Sequence, residues 1–123
     1  VLEDARIKNG IKYAQVGVWQ YLPAVSDNTG MWETPAPHAH ASEAQTSVLM
    51  YLFPELVDMS KAPNTPMMFD DRWPAIMKSV PYSSMTDSGT LGNAKSATAE
   101  KGERAVELML AEMEDCVRNY LEK

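Results

Sequence analysis

The chain is poor in the features that would fix its class at once. It has a single cysteine, Cys116, so no disulfide can form within it. Cys116 falls on the apolar face of a predicted helix, where a thiol is core filler, and its isolation fits a reducing compartment. No apolar run approaches the roughly 18 to 20 residues needed to cross a bilayer, and Val1 to Ile7 lacks the basic and apolar regions of a signal peptide. These absences predict a soluble, cytoplasmic protein with no membrane partner. Lys and Arg number 11 against 17 Asp and Glu, a net charge of -6, and the basic residues never cluster as a phosphate backbone requires, which argues against nucleic acid. Histidine is scarce too: there are two, and they stand at positions 38 and 40.

What is present suits one globular domain, since 45% of the 123 residues are hydrophobic. The nine methionines are read as core filler where they recur at helical spacing, as Met50, Met109 and Met113 do. The opening residues resemble the last turns of a helix closed by Asn9-Gly10, as though the chain began inside a helix. Ile11 to Leu22 carries β-branched and aromatic residues in partial alternation and predicts a strand. The segment from Pro23 to Pro37 has a loop composition, with Trp32 inside it as a candidate lid or ligand platform.

Ser42 to Leu56 predicts a helix, with Ala44, Val48 and Leu52 at four-residue spacing, Pro54 ending its first segment, and Ser42 with Gln45 forming a capping box. Residues 60–93 show no sustained period and predict a long irregular excursion, with a short helical turn near Trp73 to Met77. From Thr98, a favourable N-cap, the stripe Val106, Met109, Leu110, Met113, Val117, Tyr120 and Leu121 predicts a long amphipathic helix. One strand and a few amphipathic helices do not close an α/β domain, because a parallel strand needs neighbours on both edges and helices over both faces. Exposed apolar surface on the isolated chain is therefore expected.

Candidate chemistry concentrates in His38-Ala39-His40 and Glu43, two imidazoles and a carboxylate at the mouth of the first long helix. By residue type alone, three readings stay open. The three side chains could ligate a metal, one histidine could serve as general acid/base with Glu43 orienting it, or the histidines could simply sit at a helix start.

A longer string narrows the choice. His40-Ala-Ser-Glu-Ala-Gln-Thr-Ser-Val-Leu-Met-Tyr-Leu-Phe-Pro-Glu-Leu-Val-Asp-Met59 resembles the His-Ala-Gly-Glu-x-Glu-Thr-Ser segment of the creatininase (creatinine amidohydrolase) family and the apolar helix after it. Gly89-Thr-Leu-Gly-Asn-Ala-Lys-Ser-Ala-Thr98-Ala-Glu-Lys-Gly102 is similar to that family's glycine turn and Ala-Thr-x-Glu-Lys-Gly helix start. The resemblance covers nearly the whole chain. It implies a three-layer α/β/α doubly wound sandwich, and hydrolysis of a cyclic amide or related carbon-nitrogen bond in a small polar substrate with a pair of divalent metals, Zn or Mn.

The family's metal ligands come from an early Glu-x-His, an Asp soon after it and an Asn-Gly-His-x-(Glu/Asn) turn, none of which occurs in this sequence. Residues 1–123 therefore look like the C-terminal portion of a single creatininase-like domain, to be completed by a missing N-terminal half or by a second polypeptide carrying that metal-binding half, in a higher oligomer. By the same resemblance His40 is the general acid/base, Glu43 and Trp32 are substrate-binding, and His38, which matches no family position, is an addition to the pocket. Gln45 and Ser42 depart from the family's Glu and Gly. A non-catalytic partner chain that completes and stabilises such an enzyme is the alternative.

Overall fold

The computed structural model describes residues 8–10, 17, 22–23, 26–65 and 81–121. Most of the predicted strand Ile11 to Leu22 and the predicted turn at Trp73 to Met77 lie outside those residues, as do Trp19 and Trp73. Lys8 and Asn9 are helical, and Gly10 comes next at φ 62°, the left-handed stop expected from Asn-Gly. Leu22, placed at the end of the predicted strand, is helical instead.

Two helices organise the remaining described residues. Helix α1, Glu43–Leu52, ends where Pro54 can no longer supply an N–H, and a 3-10 turn over Pro54–Leu56 succeeds it. Helix α2, Ala99–Cys116, runs into a π turn over Val117–Leu121. Thr98 caps α2 through its side chain, which accepts from the Lys101 N–H at 3.2 Å. Thr98→Ala removes that acceptor and is expected to cost about 1 kcal/mol, read as a lower denaturant midpoint at unchanged slope.

α1 and α2 pack against each other around a small core of Leu22, Ala44, Val48, Ala105 and Met109, with Met31, Trp32 and Val106 against its edge. The helices approach closely because Gly102 has no side chain. A Cβ there would lie 1.9 Å from the Ser47 carbonyl oxygen and 2.9 Å from the Tyr51 Cβ. Ser47, buried at the same contact, accepts the Thr98 N–H on its hydroxyl at 3.1 Å.

The predicted apolar stripes are only half used. Ala44, Val48 and Met109 are buried, but Leu49, Leu52, Phe53 and Leu56 on or after α1, and Leu110 and Val117 on and after α2, are exposed, Leu56 by 74%. Exposed apolar surface of that kind is what the sequence led us to expect. Cys116, expected in the core, is only partly buried.

The sheet among the described residues differs from the doubly wound parallel one anticipated. It is a single antiparallel pair, β1 (Asn64–Thr65) with β2 (Gly92–Asn93), in register Asn64 to Asn93 and Thr65 to Gly92. It lies in the stretch expected to be irregular, where strands of two residues leave no periodicity to detect. No described helix is long and apolar enough to cross a membrane.

Candidate active site

The turn that carries the histidines is built by backbone geometry. Ala39 and Ser42 donate their N–H groups to the carbonyls of Ala36 and Ala39, and Ala41 takes a left-handed conformation at φ 50°. Ser42 holds the extended N-cap position of α1, but its buried hydroxyl donates to the Ala36 carbonyl and caps nothing. Gln45 reaches back and accepts the Ala41 N–H, so half of the expected capping box forms, one residue early.

The second sequence motif clasps the first. The Leu91 N–H donates to the His40 carbonyl at 2.9 Å. Gly92, at φ 105°, presses so closely that a Cβ would lie 2.3 Å from the Ser42 hydroxyl oxygen. The His40 backbone is thereby fixed between α1 and the glycine turn, while its side chain stands exposed at the mouth of α1.

Glu43, the first residue of α1, is fully buried. Its Oε1 accepts from the Glu33 N–H at 3.0 Å and the Lys101 ammonium at 2.7 Å, and its Oε2 accepts from the N–H and hydroxyl of Thr34 at 3.0 and 2.7 Å. All four lone-pair positions are filled from within the chain. Glu43 therefore acts on its surroundings through the loop it holds at Glu33 and Thr34. Burial pushes its carboxyl up, but the Lys101 ammonium and the hydrogen bonds from Glu33 and Thr34 outweigh this and hold it below its ordinary value.

Lys101 spends its three donors on Glu43, Glu33 and the Ser96 carbonyl, each at 2.7 Å. Burial works against its charge, yet the two carboxylates keep the ammonium above its ordinary value. Sequence reasoning assigned Lys101 no role; the signal was its place in Thr98-Ala-Glu-Lys-Gly102.

Trp32 and His38 come together. Their rings meet edge to face, with centroids 5.4 Å apart at 84°. The indole Nε1–H donates to the Ser26 hydroxyl at 3.1 Å, and that hydroxyl donates to the Leu22 carbonyl. His38 Nε2 lies 2.7 Å from Asp27 Oδ1, and its buried Nδ1 has no hydrogen-bond partner.

Asp27, Gly30, Trp32, Thr34 and residues 35–39 line a groove of about 510 Å³. A second groove of about 420 Å³, reached by Glu33, Asn64, Thr65, Asn93 and Ser96, shares Thr34, Pro35 and Ala36 with it as a common wall. The His40 and Glu43 side chains line neither.

Among the described residues no three His, Cys, Asp or Glu side chains are placed to hold a metal ion. The reading in which His38, His40 and Glu43 ligate one together does not survive the geometry, because His38 is bound to Asp27 and Glu43 to Lys101.

Comparison with known proteins fits this arrangement. The family model described as Creatininase: Creatinine amidohydrolase matches residues 1–117. Among solved structures, a mutant creatininase of Zn-Zn type is 26% identical at a TM-score of 0.68, over 95% of this chain and 46% of that one. A putative creatinine amidohydrolase from Bacteroides fragilis is 29% identical at 0.63, over 90% and 44%, and a structure named Creatininase Mn is 25% identical at 0.63, over 95% and 47%. The chain spans just under half the length of these structures. No curated protein matches it. With the family model covering all but the last six positions, and both sequence motifs meeting at the His40 turn, the chain belongs to the creatininase family.

Proposed function

We propose that the chain is the C-terminal portion of a creatininase-like, metal-dependent hydrolase acting on a cyclic amide or related carbon-nitrogen bond of a small polar substrate. The observation that carries the reading is the convergence of the two family motifs: Leu91 and Gly92 lock the His40 turn, and Lys101 locks Glu43 beside it. A scaffold that fixes a backbone this closely while leaving one imidazole exposed suits a residue that must meet a reacting group. His40 acts as general acid/base, taking a proton from the water that adds to the carbonyl carbon and giving it to the nitrogen as the carbon-nitrogen bond breaks. Trp32 and His38, whose groove ends beside the His40 turn, contact the substrate, and Glu43 positions the Glu33–Thr34 loop that follows Trp32.

Divalent ions, Zn or Mn as in the names of two structural neighbours, would be held outside the described residues, which offer no ligand cluster. An N-terminal half, in the same polypeptide or a second one, would complete a three-layer sandwich over the exposed Leu49, Leu52, Phe53 and Leu56, in a higher oligomer located in the cytoplasm.

The test is made on the assembled enzyme. His40→Ala is expected to lower turnover by roughly 10²-fold or more while assembly, followed by size and by mass spectrometry of the co-purifying chains, is unchanged. Turnover equal to that of the unsubstituted enzyme would sink the reading and leave the non-catalytic partner role.

A further inference from the structure

Ser26 is fully buried, at 0% exposure. It stands in the N-cap place before the 3-10 turn Asp27–Thr29, yet its side chain caps nothing. Its hydroxyl proton goes to the carbonyl of Leu22, a core residue, and its oxygen accepts the Trp32 Nε1–H at 3.1 Å. With the proton committed, the oxygen is an oriented acceptor. The chain bends to make this meeting possible. Thr29 donates its hydroxyl to the Ser26 carbonyl at 2.6 Å, and Gly30 turns left-handed at φ 70°, so that Trp32 returns onto Ser26 six positions after it. A buried hydroxyl costs free energy that an alanine would not, unless hydrogen bonds offset it. One of the two bonds that do so here is made to the indole. Packing against the edge of the core holds the body of the ring, and the bond to its one N–H fixes which edge faces the groove that Trp32 lines.

We propose that Ser26 is a positioning residue, which orients the Trp32 indole and acts on substrate only through that ring. Ser26 itself lines neither groove. The inference rests on the reading of Trp32 as a substrate contact, and it adds a residue that neither the sequence motifs nor the family resemblance singled out. Without the hydroxyl, the ring keeps its packing but is free to turn about its bond to the chain. Substrate binding then suffers, while the proton transfers carried by His40 do not.

The experiment measures turnover of creatinine by the assembled enzyme, together with the indole N–H resonance of Trp32, assigned from Trp32→Phe. Ser26→Ala is expected to raise KM about threefold to tenfold with kcat within about twofold of the parent, to shift the resonance and to speed exchange of its proton with solvent. Trp32→Phe, which has no N–H, should raise KM by itself, and Ser26→Ala added to it should raise KM no further, as befits two residues sharing one contact. A serine that served stability alone would act equally in both backgrounds. An equal KM increase in both backgrounds, a loss confined to kcat, or an unmoved resonance overturns the proposal. So does a KM that Trp32→Phe raises and Ser26→Ala leaves alone. A KM unchanged by Trp32→Phe itself overturns the reading of Trp32 as a substrate contact, and this proposal with it, while the role of His40 is judged by its own variant.

Discussion

Lys101→Met is expected to destabilise the folded chain by about 3 kcal/mol or more, measured by denaturant unfolding at neutral pH. The methionine replaces the stem but leaves the Glu43 carboxylate buried with no cation beside it, and a buried charge stripped of its partner costs far more than an exposed pair gains. The cost stays at the lower end because Glu33 and Thr34 still donate to both oxygens. Glu43→Gln in the Lys101→Met background should recover part of the loss by removing the stranded charge. A double variant as unstable as the sum of the singles would show that the ion pair is not what the loss reports.

The same network sets a pH dependence. Glu43 is held below its ordinary value when folded, so its contribution is fully present above the ordinary glutamate range and lost as pH falls through the lowered value. Lys101 is held above its ordinary value, so its contribution is present below the ordinary lysine range and lost as pH rises through the raised one. The pair thus contributes fully across the neutral range. The difference between the unsubstituted chain and Lys101→Met should shrink on acidification, once Glu43 is protonated in both.

Gly102→Ala is expected to be at least as damaging, by about 3 kcal/mol or more. A methyl group placed 1.9 Å from the Ser47 carbonyl oxygen meets backbone that has no rotamer to escape into. The helices must separate, which opens Ala44, Val48, Ala105 and Met109 to water and stretches the Thr98 N–H away from the Ser47 hydroxyl. In an exposed helix the same change would stabilise through propensity, so the sign of the effect tests the crossing directly. Near-UV circular dichroism and the unfolding midpoint both report it, and an Ala variant as stable as the parent would contradict the contact.

What sequence could and could not disclose divides by the distance over which each feature is decided. The stop at Pro54, the cap at Thr98 and the left-handed Gly10 are settled by neighbouring residues and were legible. The Ser42 capping box was legible only in part, because Gly92, fifty positions away, presses on the hydroxyl that would have capped α1. The Glu43 to Lys101 pair spans 58 positions, and nothing local distinguishes those two from other charged residues on amphipathic helices.

The resemblance to the family located the His40 turn, and it named Trp32 and Glu43. It could not say that Glu43 faces inward to hold the Trp32 loop, because orientation at a helix start depends on which loop folds over it. His38 was singled out, but its partner Asp27 was hidden in a segment whose polar composition reads as any surface loop.

The wall of Thr34, Pro35 and Ala36 separates two grooves, held at Thr34 by the Glu43 carboxylate and at the Ala36 carbonyl by the Ala39 N–H and the Ser42 hydroxyl. A partition with a chamber on each face behaves as a shared wall: whatever shifts it to widen one chamber narrows the other. Ligands of the two chambers would therefore compete through the thickness of three residues without ever touching, and substitutions in the wall cannot reshape one chamber alone.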